Sequence, residues 1–279
     1  MSIVSSAQIA DYERDGYVIV PGVFSGEEIA ALKETAHHDR AMDQAASSLD
    51  DGEGNNVRLA LWNHPGDGVY GMFARCRRVV DSVEQLLGGE VYHYHSKMIL
   101  KDAKTGGAWA WHQDYGYWYQ NGVLFPDLCS VMIAVDRATV ENGCLQVLKG
   151  SQRMGRVNHI LSGDQAGADL ERVEEAKKRL ELVHVALEPG DALFFHSNLL
   201  HCSAANNSDA ARWAMICCYN AAANDPYKES HHPRYTKLEK VDDARVLEVG
   251  RDDAQRSKVA FADIDQDDSS AKSLAESEV

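Results

Sequence analysis

The chain has 279 residues, of which 44% are hydrophobic, and a formal net charge of −15. That length suits one large or two small domains, and the apolar fraction is that of a globular protein with a sizeable core. The acidic balance argues against nucleic acid or an anionic membrane surface as a partner, since both want a basic face. No apolar run approaches the roughly 18–20 residues of a membrane span.

The first ninety residues read as mostly helical. Residues 9–17 predict a short helix ending near Asp15-Gly16, and 17–20 a short strand closed by Pro21-Gly22. Ser25-Gly-Glu-Glu28 is a capping box, and the helix it opens is expected to run to about Ala46. Residues 47–56, polar and Gly-containing, read as a loop. Apolar residues at Phe73, Val79, Val80, Val83, Leu86 and Leu87 predict a second long helix over 69–87, stopped by Gly88-Gly89.

From Glu90 the pattern changes to strands, expected at 91–101, 107–113, 128–136, 143–149, 182–187, 191–196, 199–204 and 211–220. Many short strands separated by Gly, Pro and Asn turns point to a sandwich or barrel. Residues 169–179 read as a charged helical insert. Residues 1–250 are expected to form one domain and the acidic stretch 251–279 a disordered tail. The N-terminus lacks the basic and apolar regions of a signal peptide. The six cysteines form no C-x-x-C pair and mostly sit in apolar runs. Both features suggest reduced thiols in the cytoplasm.

The chemistry concentrates at Trp111-His-Gln-Asp114. Residues two apart share a face of an extended segment, so His112 and Asp114 can point together. A distant histidine would complete a set of two imidazoles and one carboxylate, which leaves open positions on a non-haem Fe(II). Downstream, His201-Cys-Ser203 is followed by a polar turn and Arg212. A hairpin centred near Asn206-Asn207 would set His201 opposite Arg212, with Ser203 on the face of His201. An arginine in a strand-lined cavity needs an anion, and a 2-oxo acid with a far carboxylate would supply one.

These residues resemble the phytanoyl-CoA dioxygenase family of Fe(II)/2-oxoglutarate oxygenases, the group that includes ectoine hydroxylase. The resemblance extends from Gly16-Tyr-Val-Ile-Val-Pro-Gly22 through Trp111-His-Gln-Asp114, Glu141-Asn-Gly-Cys144, Gly150-Ser151 and Pro189-Gly-Asp191 to His201, Arg212 and Tyr219-Asn220. It implies a double-stranded β-helix, or jelly roll, over 90–222, mainly β and buttressed by the helices of 1–90. It implies His112, Asp114 and His201 as iron ligands, Arg212 and Ser203 on the 5-carboxylate of 2-oxoglutarate, and Trp118 and Phe195 near the substrate. O2 would be the second cosubstrate, succinate and CO2 the co-products, and a small molecule the substrate. With Asp114 on the metal, halide has no site, which favours hydroxylation or desaturation. A departure is Gln152, where many members carry histidine.

Other residues have two readings. Lys97 shares a strand face with His93 and His95; it either reaches the cosubstrate or is solvated. His93 and His95 are either a second metal site or ordinary strand residues. His196 competes with His201 for the third ligand position. Tyr115, Tyr117, Trp118 and Tyr119 form an aromatic cluster that is either core or pocket wall, with Tyr115 and Trp118 the candidates for substrate contact. The alternative functions are a cupin-type metal enzyme using no oxo acid, and a non-catalytic binding protein on the same fold.

Overall fold

The computed structural model describes residues 2–51, 54–162, 165–252 and 259–262. Helix α1 (Ser6–Asp15) opens on a capping box at Ser5 and stops at Gly16 in the left-handed conformation, φ 83°. A side chain at position 16 would also collide with the Gln152 amide. Strand β1 (Tyr17–Val20) follows. Helix α2 (Gly26–His38) opens on the expected Ser25–Glu28 box but does not reach Ala46. Asp39 interrupts it, its carboxylate accepting from Met42 N to cap a separate helix, α3 (Arg40–Ala45). Side chains that bond their own backbone in this way compete with helix continuation.

Where a loop was expected, β2 (Ser47–Asp50) pairs with β3 (Asn56–Trp62). β2 is the edge of its sheet, and its polar, half-exposed composition conceals the strand. The single helix expected over 69–87 is two, α4 (Val69–Arg75) and α5 (Arg77–Leu87), split at an extended Cys76. There the backbone turns to another partner: Val241 N donates to Arg75 O, and Arg77 N donates to Val241 O.

The strand region contains β4 (Val91–Lys101), β5 (Trp109–His112), a short helix α6 (Asp114–Trp118), β6 (Leu128–Ala134) and β7 (Leu145–Leu148). Next come β8 (His159–Ser162) and β9 (Gln165–Ala168), an unforeseen hairpin, then α7 (Leu170–Lys177) and β10 (Leu182–Val185). The chain continues through β11 (Ala192–His196), β12 (His201–Ser203), β13 (Arg212–Ala221) and α8 (Arg245–Gly250). The expected acidic tail falls largely outside the described residues. Within them Phe261 packs edge-on to Trp62 and Ala262 N donates to Leu61 O, so residues 259–262 are attached to the core rather than free.

Two antiparallel sheets form the jelly roll. The larger runs β1-β11-β6-β13-β4-β3-β2 and the smaller β10-β7-β12-β5. Strand periodicity divides the core in two. Val131 and Ile133 of β6, with Met215 and Cys217 of β13, pack outward against helices α2, α4 and α5. Met132, Ala134, Ile216 and Cys218 point inward and meet Leu145 and Val147 of the smaller sheet. With both faces covered, β6 and β13 read as continuous apolar runs rather than alternating ones. The inner layer ends in polar groups, and there the site begins.

Candidate metal centre and cosubstrate cavity

His112 closes β5 and His201 opens β12, and the two are direct cross-strand partners. Their rings lie 4.0 Å apart, centroid to centroid. Asp114 begins α6, two residues past His112. The ligating atoms of the three side chains all fall within 4.8 Å of one another, and all three residues are buried. Among the described residues they are the one such His/Cys/Asp/Glu group, so the second metal site considered at His93 and His95 does not form. His93 instead contacts Ser96 Oγ and Asn63 O, and His95 stacks on His232.

The surroundings prepare these three side chains to hold a cation. His112 Nδ1 lies 2.8 Å from Ala110 O and His201 Nδ1 lies 2.8 Å from Leu199 O. Each Nδ1–H therefore donates to a carbonyl, and each Nε2 lone pair faces the centre. Burial pushes the His112 pKa well below its ordinary range and lowers that of His201, which keeps both rings neutral. Asp114 Oδ2 accepts from Ser130 Oγ at 2.7 Å. Its Oδ1 stands 3.8 Å from His112 Nε2 and 3.9 Å from His201 Nε2. Two neutral imidazoles and a carboxylate on one side suit Fe(II) with open positions. His196 is elsewhere: its Nδ1 accepts from Asn198 N, and its ring faces Tyr12.

Beyond the triad the cavity deepens between the sheets, lined by Ile99, Trp109, Met132, Leu145, Phe195 and Ile216 among others. Its far end is cationic. Arg212 is 2% exposed; Nη2 donates to Gly143 O at 2.6 Å, and Nε is buried without an acceptor. Directly opposite on β4 is Lys101, also 2% exposed, whose Nζ donates to Ser203 Oγ at 2.9 Å. Among the described residues no carboxylate forms an ion pair with either. Burial, with Arg212 adding to it, pushes Lys101 down to about 6, and burial pushes Arg212 down to about 10. A buried guanidinium with an orphaned N–H, beside a lysine that an anion would protonate, fits the far carboxylate of a dicarboxylic oxo acid.

The expected hairpin between 199–204 and 211–220 does not form. β12 pairs with β5 and β7 in the smaller sheet, and β13 pairs with β4 and β6 in the larger. The 204–209 turn crosses between sheets, held by Asn206 Nδ2 on Asp102 O and Ala210 O. His201, Ser203 and Arg212 still converge, but across the cavity. Lys97 stands at the metal end, Nζ 4.0 Å from Asp114 Oδ1, so the lysine beside Ser203 and Arg212 is Lys101. Sequence reasoning passed over Lys101, although Lys97, Ile99 and Lys101 share one strand face at period two.

The aromatic assignments divide. Phe195 lines the cavity, its ring 5.0 Å from that of His201. Trp118 and Tyr115 are not among the residues that line it. Trp118 is 3% exposed and packs edge-on to Tyr94 and His95. Tyr115 is buried and spends its hydroxyl on Leu124 O and Val123 O, which folds the following loop back. Both residues belong to the inner core layer that also contains Met132, Leu145, Phe195 and Ile216. The α6 ring beside the triad is Tyr117, 5.6 Å from His112.

Residues 12–214 match the phytanoyl-CoA dioxygenase (PhyH) family. The chain belongs to the phytanoyl-CoA dioxygenase family. It is 31% identical over 257 residues to an L-proline trans-4-hydroxylase of Streptomyces griseoviridis, covering 86% of this chain and 94% of that one. Its fold is similar to EctD from S. alaskensis with bound Fe, at TM-score 0.73 and 26% identity over 86% of this chain and 88% of that one. It is also similar to the same protein with 2-oxoglutarate and 5-hydroxyectoine, at TM-score 0.70 and 26% identity over 91% and 87%. Within the family this chain is an Fe(II)- and 2-oxoglutarate-dependent dioxygenase. Among the described residues no helix is long and apolar enough to cross a membrane.

Proposed function

We propose that this enzyme hydroxylates a small carboxylic acid of the cyclic amino-acid type, with His112, Asp114 and His201 holding Fe(II). In this reading Arg212, Lys101 and Ser203 hold the 5-carboxylate of 2-oxoglutarate at the cavity's far end, which directs its 2-oxo acid end toward the metal. Bound iron supplies the activation of O2 that couples 2-oxoglutarate breakdown to substrate oxidation. The protein's part is orientation and the exclusion of water by Phe195, Met132 and Ile216. The observation that carries the reading is the pairing of a two-histidine, one-carboxylate triad with a buried Arg–Lys pair in one cavity.

The substrate class rests on two supports. One is the proline hydroxylase likeness over most of both chains. The other is the metal end of the cavity, whose lining includes the basic side chain of Lys97 beside Asp114. Six free, buried cysteines suit a reducing cytoplasm, and the charge of −15 leaves small molecules rather than nucleic acids as partners. A cupin-type enzyme without an oxo acid would have no use for the Arg212–Lys101 pair, and a non-catalytic protein would have no need of a complete ligand set. The test is succinate formation from 2-oxoglutarate and Fe(II) over a panel of L-proline, other cyclic imino acids, ectoine and acyl-CoAs. Stimulation by a cyclic amino acid, with a hydroxylated product by mass, is expected. Stimulation by acyl-CoA alone would overturn the substrate class, and no turnover with any of them would overturn the proposed substrate range.

A further inference from the structure

Gln113, between the two ligands on β5 and α6, faces away from the cavity and is fully buried. Its side-chain amide joins three backbone segments. Nε2 donates to Asn198 O at 2.7 Å and to Gly155 O at 2.8 Å, and Oε1 accepts from Val157 N at 2.7 Å. Its own amide N–H donates to His159 Nε2 at 3.1 Å, while His159 Nδ1 lies 3.1 Å from Val157 O. The His159 ring in turn fills the space beside Gly116, where a Cβ would overlap it.

The connection to the third ligand is short. Asn198 O is held by Gln113, and the next carbonyl, Leu199 O, holds Nδ1 of His201. A second tie runs alongside, Tyr115 N donating to Ser197 O at 2.9 Å. The arm bearing His112 and Asp114 and the arm bearing His201 are thus joined behind the site by the Gln113 side-chain amide and by the Tyr115–Ser197 backbone bond. A buried amide with both donors and its acceptor engaged has one orientation available to it. An apolar residue of the same size would fill the volume but leave two carbonyls and one N–H unmatched.

We propose that Gln113 is the positioning residue that sets the two arms of the iron site relative to each other, so that it tunes metal affinity and ligand field and not stability alone. This rests on the triad's being the iron site. Outer groups that orient metal ligands are typically worth about 10–100-fold in metal affinity, and a loss of at least about tenfold is expected for Gln113→Ala in anaerobic Fe(II) titration. A shift in the visible charge-transfer band of the Fe(II)–2-oxoglutarate complex should accompany it. Gln113→Glu keeps the shape but turns an acceptor toward Gly155 O and Asn198 O; it should show the same losses and serves if the alanine variant does not fold. Val80→Ala, a buried change in α5 on the outer side of the larger sheet, should lower the melting temperature and leave both readouts unmoved. Variants that fold, bind Fe(II) within about twofold of the unaltered protein and keep its band would overturn the proposal. If the unaltered protein itself fails to bind Fe(II), the iron-site reading falls instead.

Discussion

Lys101 and Arg212 face each other on neighbouring strands, both buried, and among the described residues neither has an ion-paired carboxylate. Burying a lysine beside a guanidinium costs stability until an anion arrives, because Lys101 gives up in the folded protein a proton that it holds in the unfolded chain. Lys101→Met, close in size and uncharged, should therefore raise the melting temperature of the cosubstrate-free protein and weaken 2-oxoglutarate binding. Thermal unfolding and an anaerobic 2-oxoglutarate titration read the two effects; movement of both in the same direction would contradict the assignment.

The same pair predicts proton uptake on binding. Lys101 is pushed down to about 6 in the free protein, so at pH 7.5 most of it is neutral. A carboxylate beside it favours the charged form and draws a proton from solution. Calorimetry of 2-oxoglutarate binding in two buffers of different ionisation enthalpy should show uptake that disappears in Lys101→Met. A proton count of zero in the unaltered protein would exclude the mechanism.

For the metal, His112→Ala, Asp114→Ala and His201→Ala should each abolish tight Fe(II) binding, because each removes one of three protein ligands. His196→Ala should bind normally. Arg212→Ala should keep its iron but lose about 2–5 kcal/mol of 2-oxoglutarate affinity, the usual loss for a desolvated charge pair. Equilibrium dialysis with each variant distinguishes these outcomes, and iron loss in His196→Ala with retention in His201→Ala would reverse the third assignment.

Stability should fall on mild acidification. Burial pushes His93 to about 3 and His159 and His196 to about 4, from 6.5. Their folded values lie below the unfolded one, so between those limits the unfolded chain binds more protons. The contribution is complete above pH 6.5 and is lost as pH drops from there toward 4. Urea unfolding of the metal-free protein at pH 7.5, 6 and 5 should give a steadily lower midpoint, and a flat profile would show that these rings charge without cost.

Trp118→Ala should act on the fold. Truncating so large a buried side chain typically costs roughly 3–5 kcal/mol, and its partners Tyr94 and His95 lie within the core. The unfolding free energy from urea denaturation should drop by that amount, with 2-oxoglutarate affinity per folded molecule kept.

The grouping of His112, Asp114 and His201 was legible because its signals are local: His112 and Asp114 lie two apart, and His201 and Arg212 carry a family spacing. Lys101 was not, since a lysine on a strand looks solvated until the sheet above it is known. The β12–β13 relationship failed for a similar reason. Sequence neighbours with a turn between them usually pair, and nothing local to 204–209 reveals that the chain changes sheets there. The contacts of Trp118 with Tyr94 and His95 were not legible either, since they depend on the helical turn after Asp114. Asp39 and Cys76, which break two expected helices, act through a cap and a distant backbone partner at Val241.

β5 is the outermost strand of the smaller sheet, four residues long, and its pairing with β12 slips in register between His201 and Ser203. One of the two histidines proposed to hold the metal comes from each of these strands. An ion held there fastens a short outer strand to its neighbour from the side-chain face, where the backbone ladder is weakest. Iron status should therefore be visible in backbone dynamics: amide hydrogens of residues 109–112 should exchange faster in the metal-free protein, while those of β6 and β13, covered on both faces, should not notice the difference.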